Sequence, residues 1–410
     1  MKRMLLFFLL FFLLVIRFSF GFNPRNVVYL YAEIIESGKV LSSGNIRKIE
    51  ISVHIPENYE EIEVFPDNWE LGEDEFGNKV VKIKWTNPND VEVYIVKTKV
   101  KNYATFFENI QKEEWKFLEK AKKETFLTEA TDEMRKFAFG NETNLEKAVR
   151  LTNWIHKNFK YMISGEENKP AKIVWKERKG VCGDFANLLI ALLRSQKIPV
   201  RYVVGYAIPS PNVSQTFLSH AWVEVFHEGR WIPFDPTWFE GGYLDATHIK
   251  LGYLLDGNFS ETIYYEGVGM VTWEREAPKV NIIEYKEQRP FNLTLNVGDV
   301  KWNSVGLAEV TSEGCGLNEI ALYPCVFSNG TPVLKVFDEK RRGWFCGKEE
   351  IYFLLISLKI DKKSISLCPL KVYDQYGSLK RKVIEISGEG KYKEVTLEGL
   401  NTIEFGNFIL

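Results

Sequence analysis

One cysteine stands apart in the stretch "GVCGDFANLLIALLRSQKIPVRYVVGY", residues 180–206: Cys182, the first of five, with the next at Cys315. A thiol becomes a nucleophile only beside a base, and the base needs a group that orients it. Both residue types follow in "SHAWVEVFHEGRWIPFDPTW", residues 219–238, which holds His220 and Asp235. A Cys, a His and an Asp in this order could perform acyl transfer through a thioester, provided that the chain brings them together.

The elements that must do so can be read from spacing. Phe185, Leu188, Leu189, Leu192 and Leu193 recur at helical intervals, and Gln196-Lys197-Ile198-Pro199 ends the pattern. Cys182 then falls at or next to the first helical position. Free N–H groups and the positive end of the helix dipole favour negative charge on the sulfur there. They could also receive an oxyanion formed on an attacked carbonyl. Asp184, in the first turn, reads as a helix-end stabiliser. Residues 220–226 alternate as a strand, Glu228-Gly229 suits a two-residue hairpin loop, and 230–234 return as the partner strand. With that loop Asp235 faces Trp222, and His220 lies two residues along on the same face, within diagonal reach. A three-residue loop would put them on opposite faces. Taken singly, a helix-start Cys or a strand His is usually structural; the three together favour a site.

The blocks "GVCGDFANLL", "HAWVEVF" and "WIPFDPTW" resemble the core of the transglutaminase-like superfamily over roughly 140–245. The resemblance implies a papain-like fold, with Cys182 as nucleophile, His220 as general base and acid, and Asp235 orienting the imidazole. It implies a protein or peptide substrate and acyl transfer to water, as in a protease or amidase, or to a lysine amine, as in a crosslinking transglutaminase; hydrolysis is the expectation. Animal-type members use a Trp at the oxyanion. Trp154 and Trp175 are candidates here, and neither is placed by motif. No acidic cluster resembles a calcium site, and no cofactor or metal is expected.

Around this core the chain reads as α+β, a papain-like core flanked by N-terminal and C-terminal antiparallel β domains. Residues 23–105 alternate as strands, with Ile49, Ile51 and Val53, then Val91, Val93 and Ile95, on apolar faces and Gly77-Asn78 as a turn. His54 reads as structural. From about 106 the period becomes helical, and Thr143 with Glu146 forms a capping box that opens the helix carrying Trp154, for packing, and His156, at the surface. The core is expected over 106–278 and the C-terminal β domain over 279–410.

A net charge of -2 excludes the basic footprint of a nucleic-acid binder, and 45% hydrophobic residues exclude disorder. Lys2 and Arg3 precede an apolar run over Met4–Ile16, the pattern of an export signal or a retained membrane anchor in residues 1–22. The protein is therefore expected to be secreted or held at the outer face of the membrane. Cys315, Cys325, Cys346 and Cys368 could then form two disulfides, with three connectivities open. Sequons at Asn141, Asn212, Asn258, Asn292 and Asn329 carry little weight. The rival to an enzyme is an extracellular binding or scaffold protein built on the same framework.

Overall fold

In the computed structural model, residues 23–163, 168–209, 216–258, 262–327, 330–357 and 365–389 are described. The apolar run of residues 1–22 and the sequons at Asn212 and Asn329 lie outside them. Among the described residues no helix is long and apolar enough to cross a membrane. The chain divides into two compact units, before and after Gln288.

The first unit opens on a long strand, β1 (Val27–His54), which serves as the spine of a sheet with β2 (Tyr59–Phe65), β3 (Trp69–Glu73), β4 (Lys79–Thr86) and β5 (Val91–Tyr103) in the order β2-β5-β1-β4-β3. Gly77, at positive φ, turns β3 into β4 as expected. Ile49, Ile51 and Val53 are buried, but the phase of β5 is the reverse of the expected one. Val91, Val93 and Ile95 face outward, while Tyr94 and Val96 enter the core, because the large ring of Tyr94 fills more space there than a Val would. His54 is structural, its Nε2 3.1 Å from Asp74.

Residues 104–131 form no α-helix. They run as a strap with two short 3₁₀ turns, held by Trp115 against Trp231 and by Glu113 on Arg201 at 2.8 Å. Tertiary contacts of the aromatic residues override the helical period. Helices follow at α1 (Asp132–Ala138), α2 (Asn144–Asn158), α3 (Ala171–Glu177) and α4 (Cys182–Arg194). The α2 capping box is present: Thr143 accepts from the Glu146 N–H, and Glu146 accepts from the Thr143 N–H.

Two short strands, β6 (Lys160–Tyr161) and β7 (Lys179–Gly180), pair in parallel just before α4. Then come β8 (Val200–Ala207), β9 (Leu218–His227), β10 (Arg230–Asp235), β11 (Glu240–Gly241) and β12 (Ile249–Leu254), a sheet in the order β11-β10-β9-β8-β12. Every residue from Gly183 to Arg194 on α4 is buried, so this helix is enclosed on all sides. Val27, Leu30 and Ile34 of β1 meet Tyr206, Ile249 and Leu251 in one apolar core, which joins the two sheets.

The strands β13 (Ile263–Arg275) and β14 (Lys279–Glu287) return to pair with β1. The unit thus closes ten residues beyond the expected boundary at 278, since β14 can satisfy its backbone only against the remaining edge of the long spine. The second unit is an antiparallel-rich sheet of β15 (Asn292–Val297), β16 (Val300–Trp302), β17 (Val305–Tyr323), β18 (Leu334–Phe337), β19 (Lys340–Ser357), β20 (Ser366–Asp374) and β21 (Leu379–Glu389). Cys315 pairs with Cys346 across the β17–β19 ladder, and Cys325 pairs with Cys368. The molecule is mostly β, an α+β chain whose helices lie in sequence between antiparallel strands, as expected.

Candidate active site

Cys182 is the first residue of α4, partly exposed and unpaired. Asp184 sets this helix start. Its Oδ2 accepts from the Val181 N–H at 3.1 Å and its Oδ1 from the Lys169 N–H at 2.7 Å, so it is spent on backbone, as expected. Gly180 permits this: a Cβ there would lie 2.8 Å from the Asp184 side chain. The first-turn N–H groups of α4 have no carbonyl one turn earlier within the helix, which leaves them for a ligand oxygen.

The hairpin has the expected register. Arg230 faces His227, Trp231 faces Phe226 and Ile232 faces Val225, with Glu228 and Gly229 at positive φ forming the two-residue turn. His220 and Asp235 therefore share a face, and His220 Nε2 lies 2.8 Å from Asp235 Oδ2. Cys182 lines one cleft with this imidazole, near enough to act on its charge. The structure thus brings Cys182, His220 and Asp235 together from a helix start, a strand and a strand tip.

The electrostatics follow from burial and charge. Burial opposes the His220 imidazolium, but the charge and hydrogen bond of Asp235, then Cys182, outweigh it and push His220 up to about 9. Burial alone would raise the Asp235 carboxyl; His220, then His248, hold it far below the usual carboxylate range. The other carboxylate oxygen, Oδ1, accepts from the N–H groups of Thr237 at 2.7 Å and Trp238 at 3.3 Å. Asp235 is therefore fixed by its own turn before it meets the imidazole.

Sequence reasoning missed the residues that enclose this pair. Trp238 stacks on His220, ring centroids 4.0 Å apart and nearly parallel, and shields the His–Asp bond from water. His156 is not a free surface residue: its Nδ1 lies 3.2 Å from the Thr237 carbonyl and its ring meets Phe239, so α2 braces the turn after Asp235. His248, buried, lies 3.6 Å from the same Asp235 oxygen that binds His220. The only sequence signals were the "DPTWFE" turn itself and a second "D-A-T-H" ten residues on. Trp154 and Trp175, the oxyanion candidates, stack on each other at 5.0 Å and hold Arg178 over their faces, and neither lines the cleft.

The cleft over Cys182 has a volume of about 480 Å³ and is walled by Tyr161, Asn168, Tyr202, Tyr206, Ser219 and Arg275, among others. Burial, then Cys182, Asp235 and Asp184, push the Tyr161 phenol up to about 12, so it remains a hydrogen-bond donor. Beside His220, two fully buried sets of donor groups each have their donor atoms within 4.8 Å, His220-Asp235-His248 and Glu240-Asp245-His248. Arg25 Nε, 3.3 Å from Glu240, already supplies a cation there, and both sets read as one charge network rather than a metal cage.

With this geometry in view, the comparisons take their meaning. Residues 134–236 match the model of the Transglutaminase-like superfamily and form a transglutaminase-like core, the class that fold and site define. An uncharacterized protein of Mycobacterium leprae is 46% identical over 63 residues, 14% of this chain and 22% of its own. A protein-glutamine gamma-glutamyltransferase of Pseudomonas aeruginosa is 28% identical over 133 residues, 28% of this chain and 20% of its own. The chain thus spans about a fifth of the length of these relatives. A solved structure from Cytophaga hutchinsonii, described as a proposed cysteine protease, aligns at TM-score 0.42 and 19% identity over 62% of this chain and 98% of its own.

Proposed function

We propose that the protein is an extracytoplasmic cysteine-dependent acyl-transfer enzyme, acting as a hydrolase on peptide or side-chain amides of proteins. The observation that carries this reading is the His220 imidazole, bound to Asp235 at 2.8 Å and facing one cleft with Cys182 at the start of α4. Cys182 attacks the amide carbon and its S–C bond forms. The oxyanion is received by first-turn N–H groups of α4. His220 gives its proton to the leaving nitrogen as the C–N bond breaks, then takes one from water, which hydrolyses the thioester. Asp235 keeps the imidazole oriented throughout.

Partial exposure of Cys182 on an open cleft supports water as the acceptor. Crosslinking to a lysine amine is the second reading, and it is favoured by the transferase name of the P. aeruginosa relative over a segment of this core. The export pattern of residues 1–22 and two disulfides in the second unit support a location outside the cytoplasm.

The test compares wild type with Cys182→Ala on a peptide library, with and without added lysine amine. New peptide termini that require Cys182 support a protease, ammonia alone a deamidase, and amine incorporation a transglutaminase. Equal products from both proteins would rule out the enzyme and leave the scaffold reading.

A further inference from the structure

The turn that follows β10 is repeated ten residues later. In Asp235-Pro-Thr237-Trp238, Asp235 Oδ1 accepts from the Thr237 N–H at 2.7 Å. In Asp245-Ala-Thr247-His248, Asp245 Oδ1 accepts from the Thr247 N–H, also at 2.7 Å, and from the Thr247 hydroxyl. Each aspartate spends one oxygen on its own turn and leaves Oδ2 for a histidine. Asp235 Oδ2 holds His220, and Asp245 Oδ2 lies 3.3 Å from His248 Nδ1.

The two units of this repeat are in series. His248 Nε2 lies 3.6 Å from Asp235 Oδ2, the same oxygen that binds His220, and 3.8 Å from Glu240 Oε2. Its ring meets Trp222 edge-on at 5.2 Å, Trp238 at 5.3 Å and His220 at 5.6 Å. His248 therefore touches the acid, the base and the ring that covers the base. Its side chain is 1% exposed, and a fully buried imidazole between three carboxylates is costly unless charge is compensated. The groups that face it are Asp235 of β10, Glu240 of β11, Asp245 of the following loop and His220 of β9, with Arg25 paired to Glu240 at 3.3 Å.

We propose that His248 is a positioning residue: backed by Asp245, it braces the same Asp235 oxygen that binds His220 and so holds the catalytic imidazole in register. This inference rests on the triad reading above. Burial resists the His248 imidazolium, but Asp245, then Asp235 and Glu240, push it up to about 10, so the clamp stays charged over the working range. Without it, Asp235 keeps its turn but loses the second contact on Oδ2, and the His220 bond loosens.

The experiment follows turnover of p-nitrophenyl acetate, a generic acyl donor, against pH in wild type, His248→Gln and His248→Asn, with thermal midpoints recorded. For His248→Gln, kcat is expected to fall about tenfold with KM within about twofold, as for a small misplacement of a catalytic group. The alkaline limb, near pH 9 in wild type because of His220, is expected to move down as Asp235 loosens. Loss of a nearby positive charge alone would move that limb up, and a merely structural role would leave it in place. A limb that is unmoved or raised, whatever the thermal midpoint, overturns the proposal. Should His248→Gln fail to fold, His248→Asn, which removes the same charge, carries the same test with the same two outcomes. A wild type that shows no Cys182-dependent turnover would instead overturn the triad reading on which this one stands.

Discussion

Asp235 and Asp374 begin from the same local chemistry and end in opposite states. Each is buried, each lies at a strand end, and each accepts from the backbone of its own turn: Asp235 from Thr237 and Trp238, Asp374 from Tyr376 and Ser378. Among the described residues no cation is paired with Asp374, and burial, only partly offset by Ser378 and Tyr376, pushes its carboxyl up to about 6. Asp235 faces His220 at 2.8 Å and stays ionised. The turn alone makes a structural carboxyl; the facing imidazole makes one fit to orient a base. The cysteines repeat the contrast. Four in the second unit are paired, and the one in the first unit is left free beside a histidine.

The largest expected difference breaks the two aspartates directly. Asp235→Asn should lower Cys182-dependent turnover by about a thousandfold, the scale of losing general acid–base catalysis. Asp374→Asn should leave it within about twofold, since the amide oxygen still serves the turn. Equal effects would end the comparison.

Next in size is the disulfide contrast. Reducing both bridges, which close separations of 31 and 43 residues, should cost the second unit about 3–4 kcal/mol per bridge in the loop-entropy view. Hydrogen exchange along β17 and β20 measures the loss, and iodoacetamide alkylation of Cys182 should not change with it.

Asp374 also predicts a pH dependence of defined sign. Its folded value lies above the ordinary 3.8, so the stabilisation is full below about pH 4 and is lost as pH rises through about 6. The span is up to about 3 kcal/mol, at 1.36 kcal/mol per unit. Hydrogen exchange in β20 should slow as the pH falls over this window, after correction for intrinsic rates, and Asp374→Asn should flatten the response.

The smallest effect sharpens the comparison from below. Thr143 caps α2 with a neutral hydroxyl and no buried charge. Thr143→Ala should cost about 1 kcal/mol in urea unfolding, and the cost should shrink as the pH falls and Glu146, which accepts from the Thr143 hydroxyl, protonates.

The site was legible where local rules are strong. Helical spacing after Cys182 gave α4, and the two-residue loop at Glu228-Gly229 placed His220 and Asp235 on one face, because a one-residue slip would invert every side chain. What stayed hidden depends on contacts distant in sequence. Trp238 and His248 reach His220 only after β11 and the loop before β12 fold back, and alternation cannot show this. The strap over 104–131 reads as helix because its partners, Trp231 and Arg201, come a hundred residues later. The strands β13 and β14 belong to a sheet begun at Val27, and the phase of β5 turns on which ring the core accepts. Local patterns placed the candidate residues; long-range packing built the walls around them.

The central claim is that Cys182 shares an imidazole that holds its proton up to about pH 9. Iodoacetamide alkylation at pH 6, followed by peptide mapping, tests it most directly. Cys182 should react much faster than a model thiol, and His220→Ala should bring it down to the model rate. A wild-type Cys182 that reacts at pH 6 no faster than the model thiol would contradict the account.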